Sequence, residues 1–438
     1  MQQFIDASGA GGPVPGRRRV LISAYACGPG MGSEPGAGWA FALAAAQHSE
    51  VWVITRRRFE PLIRDAIAAD PALASRLHVV YLDLPDWCLR LKKHHRDVYW
   101  YYPLWQRLAG QKALELHQET PFDVAHHVTF ASDWMPCGLM ALPSTVPLVW
   151  GPVGGASYVP VRLLRWLGLR GALGELGRRA VTGASRRIFA ERMARRAQIV
   201  VGLNEDVRRR FAGAAAVVVE PNAMVEPAGA AVVRSIPPAG VHTAVFVGRL
   251  VSWKGTRLAV NALSHPSAAN WRLEFIGSGP DQRWIEAEAA RRGLADRVTC
   301  RGQLPRQDVL AALADADAML FPSLHDSAPW AVAEACAAGL PVICVDLAGP
   351  PVLVSRTAAG ISHIVDVGPG LPARLAAALR DAESSPRPAP SGRWSSSRLP
   401  LLLDAWYRQA QKVPAHGAAA GHGTPDAAGV TGLVSTRP

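Results

Sequence analysis

The sequence predicts an α/β fold with two domains, each built on a parallel sheet of Rossmann-like βαβ units. Its 438 residues exceed what one ordinary core holds, and 49% of them are hydrophobic. Short apolar runs alternate with helical stretches in both halves of the chain. Such alternation favours right-handed βαβ units, and open parallel sheets bind ligands where their strands end. Two such domains would face each other across a central cleft.

In the N-terminal half, apolar runs rich in β-branched and bulky residues predict buried strands. These runs are residues 17–26 (RRRVLISAYA), 51–55 (VWVIT), 122–130 (FDVAHHVTF) and 147–150 (PLVW). A Gly-rich turn and an apolar helix over residues 36–47 follow the first run.

The C-terminal half repeats this order of strands separated by helical stretches. Its predicted strands are residues 243–250 (TAVFVGRL), 271–279 (WRLEFIGSG), 298–304 (VTCRGQL), 318–323 (AMLFPS) and 341–346 (PVICVD). Residues 203–240, where Pro, Gly and Ala dominate, contain the expected boundary between the domains.

Five segments are predicted from these patterns. They are a first domain over 17–205, a second domain over 206–385, a helix over 386–412 that returns to the first domain, and disordered tails at 1–16 and 413–438.

Charge and cysteine content restrict the class of protein. The formal net charge is +12, which suits binding to a nucleic acid, an anionic membrane or a phosphorylated substrate. The alternative is that part of the Arg excess only reflects the composition of the sequence and serves no function. The six cysteines form no CxxC pair, so we expect reduced thiols and no structural metal. Neither a signal peptide nor a membrane-spanning run is evident, so a cytoplasmic location is expected.

The loop at residues 27–39 (CGPGMGSEPGAGW) follows the first predicted strand. Gly30 and Gly32 allow a close backbone approach to a phosphate or a sugar, and the helix that follows would attract an anion. The loop does not match the dinucleotide fingerprint G-x-G-x-x-G. Because residues 56–58 are all Arg, an NADP site stays open as an alternative, and so does a purely structural turn.

A second motif, residues 245–255 (VFVGRLVSWKG), places two cations in a loop after a strand. Arg249 as a fork and Lys254 as a point charge can clamp a diphosphate and stabilise it as it departs. The alternative is a solvated pair of loop charges. The next predicted strand also ends in glycine, at Gly277, which we place in the same donor-binding site.

A third motif, residues 322–343 (PSLHDSAPWAVAEACAAGLPVI), carries two acids eight residues apart. Asp326 lies before a predicted helix, and Glu334 lies inside it among apolar neighbours. A carboxylate in such surroundings needs a partner. Asp326 can hydrogen-bond a hexose and Glu334 a ribose, whereas a helix N-terminal acid and a surface Glu are the structural alternative.

Together these motifs resemble the retaining glycosyltransferases of group 1, which have the GT-B fold. The family's G-R-L-x-x-x-K-G segment is matched at 248–255, and its Glu-Ala-x-x-x-Gly-x-Pro-Val segment at 334–342. The resemblance covers residues 20–375 and implies transfer of a hexose from a nucleotide sugar with retention. It implies that Arg249 and Lys254 bind the donor diphosphate and that Glu334 binds the ribose. The first domain is then the acceptor side and the second the donor side.

The sequence departs from the family at two places. Asp326 stands where the family has Glu, and residues 327–330 (Ser-Ala-Pro-Trp) replace a Gly-rich stretch whose N–H groups face the donor. Pro329 has no N–H to donate, whereas Ser327 keeps one, and we include Ser327 in the donor site.

The first domain supplies weaker candidates. The family commonly has a cleft histidine, usually in H-x-H, where this sequence reads His126-His127-Val128. His127 is the preferred catalytic candidate and His126 an acceptor-side candidate, against a structural role for either. Gly154 and Gly155 are expected in an acceptor-side or interdomain loop, against a plain turn.

Two basic stretches concern partners. Residues 161–197 contain ten Arg and two acids, and residues 87–107 combine two Lys with six aromatic residues. Such stretches suit an anionic bilayer surface, and solvated helix faces are the alternative. A nucleic acid would also suit them, but the Gly-rich loops at strand ends make that partner less favoured.

The prediction is therefore a hexosyltransferase without a metal or other cofactor, whose donor is a nucleotide-diphosphate sugar. Its acceptor would be a lipid-linked sugar or a glycan, as in cell-surface polysaccharide biosynthesis, reached from the inner face of the membrane. A sugar-nucleotide epimerase on the same fold and a basic nucleic-acid-binding protein are the alternatives.

Overall fold

The computed structural model describes residues 16–94, 97–226, 240–357, 362–384 and 389–414. Over these residues the chain forms two sheets, one of seven strands and one of six, and every strand pair in both is parallel. The fold is the predicted one: two Rossmann-like α/β domains.

The first sheet has the strand order β3-β2-β1-β4-β5-β6-β7. Its strands are β1 (Arg18–Ala24), β2 (Ser49–Thr55), β3 (Leu77–Tyr81), β4 (Val124–Thr129), β5 (Leu148–Val153), β6 (Ile199–Gly202) and β7 (Val217–Val219). All residues of β4, β5 and β6 are buried because helices cover both faces of the sheet.

The helices of this half are α1 (Ser33–His48), α2 (Glu60–Ala68), α3 (Pro71–Ala74), α4 (Asp86–Leu91), α5 (Val98–Glu119), α6 (Gly168–Ile188), α7 (Ala190–Arg196) and α8 (Glu205–Arg210). Helix α1 packs on one face of the sheet through Phe41, and α5 packs on the other through Tyr101, Tyr102 and Trp105.

The second sheet has the strand order β10-β9-β8-β11-β12-β13. Its strands are β8 (His242–Val247), β9 (Trp271–Ile276), β10 (Val298–Gly302), β11 (Ala318–Phe321), β12 (Val342–Val345) and β13 (His363–Val365). Its helices are α9 (Thr256–Leu263), α10 (Gln282–Arg291), α11 (Arg306–Asp315), α12 (Trp330–Ala337), α13 (Pro350–Ser355) and α14 (Leu371–Glu383).

In each sheet the strand order reverses once, between β1 and β4 in the first and between β8 and β11 in the second. Crevices at such reversal points are where open α/β sheets bind ligands. The loops after these strands are therefore the parts of the fold that position a site.

The boundary between the sheets lies later than the predicted position at 205/206. Strand β7 is parallel to β6, with Val200 opposite Val217, so the first sheet continues to Val219. The second sheet begins at His242. This correction has a local cause: β7 has only three residues within an Ala-rich stretch, and so short a run gives little periodic signal.

The last helix, α15 (Leu399–Lys412), packs on the first domain although it follows the second in sequence. Leu403, Trp406 and Tyr407 join the core between α1 and the first sheet. The predicted tails at 1–16 and 413–438 fall outside the described residues, apart from Gly16, Val413 and Pro414.

In the part of the chain that the structure describes, no helix is long and apolar enough to cross a membrane. Within the same residues, no group of three or more His, Cys, Asp or Glu side chains is placed to hold a metal ion.

Candidate active site at the facing strand ends

The carboxyl ends of the two sheets meet across the cleft at Ser327. The Gly155 N–H lies 3.4 Å from the Ser327 Oγ that accepts its hydrogen bond, and Asn204 Nδ2 donates to the Ser327 carbonyl over 3.3 Å. Nearby, a Cβ built on Gly36 would come within 3.7 Å of the Trp330 ring. The loops of the first sheet therefore face the start of α12.

Two glycines bring the ends of β8 and β9 together. Gly248 has φ 148° and Gly277 has φ 137°, which is backbone that L side chains rarely adopt. A Cβ on Gly277 would lie 2.0 Å from the Gly248 carbonyl oxygen, so only glycine fits there. Gly277 therefore shapes the loop that carries Arg249, and its role in the donor site stays a prediction.

Arg249 follows Gly248 and is exposed in the cleft loop. Its guanidinium carbon lies 5.6 Å from the Trp253 ring centroid, in a cation–π position. Among the residues that the structure describes, no acid forms an ion pair with it. Its charge is therefore open to an anionic ligand.

Lys254 lies in the same loop but is already paired. Its Nζ bonds Asp326 Oδ2, and the side chains are only 15% and 17% exposed. Ser323 Oγ also donates to Asp326 Oδ2 over 3.2 Å. The sequence placed Lys254 on a diphosphate and Asp326 on a hexose, and the structure joins the two in one ion pair. Asp326 thereby fixes the position of the ammonium group.

Glu334 lies inside α12 with an 8% exposed side chain, and its Oε1 accepts a hydrogen bond from Arg306 Nη1. Burial raises the pKa of Glu334, and the adjacent Arg306 guanidinium partly offsets this effect. Arg306 is the partner that the buried acid requires. Sequence reasoning missed it because α11 and α12 are separated by β11.

The Gly-rich loop of the first domain forms the opposite wall of the cleft. Gly30 has φ 69°, so it needs the left-handed backbone that glycine provides. Gly32 precedes α1, and a Cβ there would meet open space, so no steric contact requires glycine at this position. The close approaches lie one turn later, where a Cβ would come within 1.9 Å of a carbonyl oxygen at Gly36 and 2.1 Å at Gly38.

Glu34 is a half-buried acid of this wall that sequence reasoning missed. Its Oε2 accepts from the Phe130 N–H over 2.9 Å, and its Oε1 accepts from Asn222 Nδ2 over 3.0 Å. Burial raises the pKa of Glu34. The available signal was an acid in the first turn of the helix that follows a Gly-rich loop.

His126 is a core residue, which corrects its predicted acceptor-side role. Its Nε2 donates to the Gly151 carbonyl over 2.8 Å, so its Nδ1 is the acceptor for the Tyr407 hydroxyl at 2.9 Å. Both nitrogens are used and the side chain is fully buried. Burial lowers the pKa of His126 to about 4. The residue anchors α15 to β4.

His127 points to the other face of the sheet, where its Nε2 lies 3.1 Å from the Tyr102 hydroxyl. The residue is 1% exposed, and its Nδ1 has no hydrogen-bond partner. Burial lowers the pKa of His127 to about 3. A neutral ring inside the core does not support the predicted catalytic contact with a ligand.

Gly154 and Gly155 lie in the loop after β5, as part of the interdomain contact. Gly155 has φ 93°, and a Cβ there would come within 1.9 Å of Asp133 Oδ1. A Cβ on Gly154 would lie 3.6 Å from Ser327 Oγ. Glycine is therefore required at Gly155 by the close approach of Asp133 within the first domain, whereas a Cβ on Gly154 would make only an ordinary contact with Ser327.

The Arg-rich stretch at 161–197 is divided between the interior and the surface. Arg186 is buried and paired with Asp133, and Arg196 donates to two carbonyl groups. Arg178 and Arg179 both bind Glu175. Part of the predicted basic membrane surface is therefore internal. The sequence alone could not show which of these arginines are internal and which are exposed, because the partners of Arg186 and Arg196 are distant in the chain.

Solved structures with the same architecture identify the fold as GT-B. The chain resembles sucrose-phosphate synthase from Thermosynechococcus elongatus with a TM-score of 0.56 at 17% identity, covering 90% of this chain and 99% of that one. It also resembles the lipopolysaccharide outer core galactosyltransferase WaaB with a TM-score of 0.52 at 14% identity, covering 89% and 97%. At these identities the likeness establishes the fold.

Sequence comparisons match part of the chain. Residues 234–392 match the family model of Glycosyl transferases group 1. A 2-deoxystreptamine glucosyltransferase of Streptomyces kanamyceticus is 31% identical over 155 residues, which are 35% of this chain and 39% of that protein. A putative colanic acid biosynthesis glycosyltransferase, WcaL, of Salmonella typhimurium is 31% identical over 140 residues, or 30% and 34% of the two chains. The alignments thus span well under half of either relative.

Proposed function

We propose that this protein transfers a hexose from a nucleotide-diphosphate sugar to a sugar, free or lipid-linked, with retention at the anomeric carbon. The observation that carries the proposal is the loop after β8. It presents the free guanidinium of Arg249 and the fixed ammonium of Lys254 where the strand order reverses, inside the segment that matches the family model.

The two cations would act on the leaving group. As the bond between the anomeric carbon and the diphosphate oxygen breaks, the nucleotide takes the electron pair and gains negative charge. Arg249 and Lys254 would stabilise that charge, and preorganised donors of this kind supply much of many enzymes' rate enhancement. The acceptor oxygen would bond to the anomeric carbon from the same face and pass its proton to the departing diphosphate.

Asp326 and Glu334 would serve the donor in different ways. Because Asp326 accepts a hydrogen bond from Lys254, its main role would be to position the Lys254 ammonium group, and contact with the hexose would be secondary. Glu334 would accept hydrogen bonds from the ribose hydroxyls, with Arg306 supporting the charged carboxylate. Burial raises the pKa of Glu334, and the Arg306 guanidinium opposes that shift.

A surface on α6 supports a lipid-linked acceptor. Leu169, Leu173, Leu176 and Val181 are exposed by 78%, 61%, 48% and 66%. Their spacing puts the three leucines on one stripe of the helix, beside the exposed Arg170. We define Leu169, Leu173 and Leu176 as the α6 stripe and propose that it lies in the interface of an anionic membrane.

The direct test is a panel of nucleotide sugars screened for thermal stabilisation of the purified protein. We expect one base and one sugar to raise the melting temperature, because a ligand that binds only the folded state stabilises it. The Arg249→Gln variant should lose most of this shift. A panel in which no nucleotide sugar stabilises the protein, while RNA or DNA does, would contradict the proposal and favour nucleic-acid binding.

A further inference from the structure

A second cluster of cations lies at the carboxyl edge of the first sheet, away from Arg249 and Lys254. It comprises Arg56 and Arg58 after β2, and Lys92 after α4. We call these three residues the cation cluster. Arg56 and Arg58 belong to the segment that follows β2, and Lys92 lies between α4 and α5. Because Arg56 and Lys92 both bond Tyr25, which follows β1, the cluster occupies the acceptor side of the cleft.

Tyr25, which directly follows β1, holds the cluster together. The Arg56 guanidinium carbon lies 3.9 Å from the Tyr25 ring centroid, and its Nε donates to the Tyr25 carbonyl over 2.8 Å. Lys92 Nζ donates to the Tyr25 hydroxyl over 2.9 Å. The Arg58 and Arg56 guanidinium carbons lie 5.1 Å and 5.3 Å from the ring of Phe59. The side chains of Tyr25 and Phe59 therefore hold the three cations at defined positions.

The positive charge of the cluster is not neutralised within the described residues. None of the three cations forms an ion pair there. The acids near Lys92 are Asp83 and Asp97. The two oxygens of Asp83 accept from the Tyr101 hydroxyl at 2.7 Å and from the Arg57 N–H at 3.0 Å, and Asp97 Oδ2 accepts from the backbone N–H groups of Lys93 and His94. Burial and then the neighbouring Arg56 and Arg58 lower the pKa of Lys92 to about 8. An anion placed among the three cations would relieve this repulsion.

The cluster is connected to the Gly-rich wall of the cleft. The Tyr25 ring lies 5.0 Å from the ring of Phe130, whose N–H bonds Glu34 in the Gly-rich wall. Phe130 is 37% exposed, so a ligand at the cluster would extend over an accessible aromatic surface.

We propose that the cation cluster binds a phosphate or diphosphate group of the acceptor. Two guanidinium forks and one ammonium match the several oxygens and the charge of such a group. The acceptor role of this ligand rests on the proposed transfer reaction. Anion binding at the cluster can be tested independently of that reaction.

The test is a calorimetric titration of the full chain with inorganic pyrophosphate at pH 7. We expect two binding events, one removed by Arg249→Gln and the other weakened about tenfold or more by Lys92→Gln or Arg58→Gln, as for a lost charged hydrogen bond. Lys93→Gln, a neighbouring exposed lysine, is the matched control and should bind as the wild type does. The cluster assignment is overturned if Lys92→Gln and Arg58→Gln both match Lys93→Gln.

Separate titrations with a hexose 1-phosphate and a short-chain prenyl diphosphate distinguish a soluble from a lipid-linked acceptor. If Lys92→Gln weakens the binding of either ligand, the inference is supported. If Lys92→Gln changes the titration of neither ligand, the acceptor role is overturned. A failure of the nucleotide-sugar panel alongside Lys92-dependent pyrophosphate binding would instead contradict the transfer reaction and leave the anion site standing.

Discussion

Buried histidines determine how the first domain responds to acid. His126 and His127 are neutral in the folded state, with pKa values near 4 and 3, whereas an unfolded histidine has a pKa near 6.5. Between those values the unfolded chain binds more protons, so stability falls as the pH drops below about 6.5. Each histidine contributes a loss of about 2 kcal/mol between pH 7 and pH 5.

We therefore predict that His126→Gln flattens the pH dependence of the free energy of unfolding between pH 7 and 5, relative to the wild type. Denaturant melts at the two pH values measure this. Because Gln leaves one hydrogen bond unmade, the variant should be less stable at pH 7. A slope as steep as that of the wild type would mean that His126 is charged or exposed in the folded protein.

Glu334 allows a ligand-binding role to be separated from a structural one. Glu334→Gln keeps the volume but removes the charge that would bind ribose hydroxyls. Its partner Arg306 has a 56% exposed side chain, so water can solvate the guanidinium when the pair is lost. We predict a small change in melting temperature and a clear loss of nucleotide-sugar affinity, measured by calorimetry. Unchanged affinity with a large drop in melting temperature would mark Glu334 as structural.

At the scale of elements, α6 shows what the sequence alone left undecided. Its Arg-rich composition predicted a basic surface, but Arg186 bonds Asp133 in the interior while Leu169 and Leu173 stay exposed. Composition does not show which helix face meets the core, because that depends on contacts with distant residues. The strands were easier to predict, since continuous apolar runs are typical of sheets that are covered on both faces.

The α6 stripe should govern binding to vesicles that contain anionic lipid. Replacing Leu169, Leu173 and Leu176 together with Ser removes apolar area that would enter the interface, and each side chain contributes about 1 kcal/mol or more. We predict at least about tenfold weaker sedimentation with vesicles, with nucleotide-sugar affinity unchanged.

Leu401→Ser is the matched control, because Leu401 is 74% exposed on α15, away from the stripe. Raised salt should also weaken the wild-type interaction, since the exposed arginines of this region are screened. Vesicle binding that is the same in the triple variant and the control would contradict the membrane role. A wild-type dimer that the triple variant breaks would assign the stripe to a second copy of the chain.

At the scale of the whole molecule, a cluster of ion pairs around Glu220 connects the two domains. Glu220 follows the first sheet and pairs with Arg393 and Arg398, which precede α15, and with Arg356 of the second domain. Its side chain is 5% exposed. Arg398 also donates to the carbonyl groups of Pro221 and Ala223. Both crossings of the chain between the domains therefore meet at this cluster.

We predict that Glu220→Gln lowers the free energy of unfolding by about 3 kcal/mol, because it leaves several partly buried guanidinium groups without their counter-charge. Glu115→Gln removes an exposed acid from α5 and should change stability by no more than about 0.5 kcal/mol. Denaturant melts of both variants test this. Equal effects would show that the cluster contributes no more than a surface ion pair.

The domain plan itself was predictable from the sequence, because two series of apolar runs with glycines at their ends indicate two parallel sheets. The pairing of Lys254 with Asp326 and of Glu334 with Arg306 was not, since each pair joins residues on separate elements. The motifs thus predicted which loops carry the candidate site, whereas the contacts within those loops required the structure.

The most direct test of the central claim is release of nucleoside diphosphate from the stabilising nucleotide sugar, in the presence of an acceptor, by the wild type, Arg249→Gln and Lys254→Gln. Two cations on a departing diphosphate should contribute several kcal/mol in the transition state, so each variant should lose about 100-fold or more in kcat. The melting temperature of Arg249→Gln should stay close to the wild-type value, whereas that of Lys254→Gln should fall because Asp326 loses its counter-charge. Wild-type turnover by both variants at saturating donor would contradict the assignment of this loop to the leaving group.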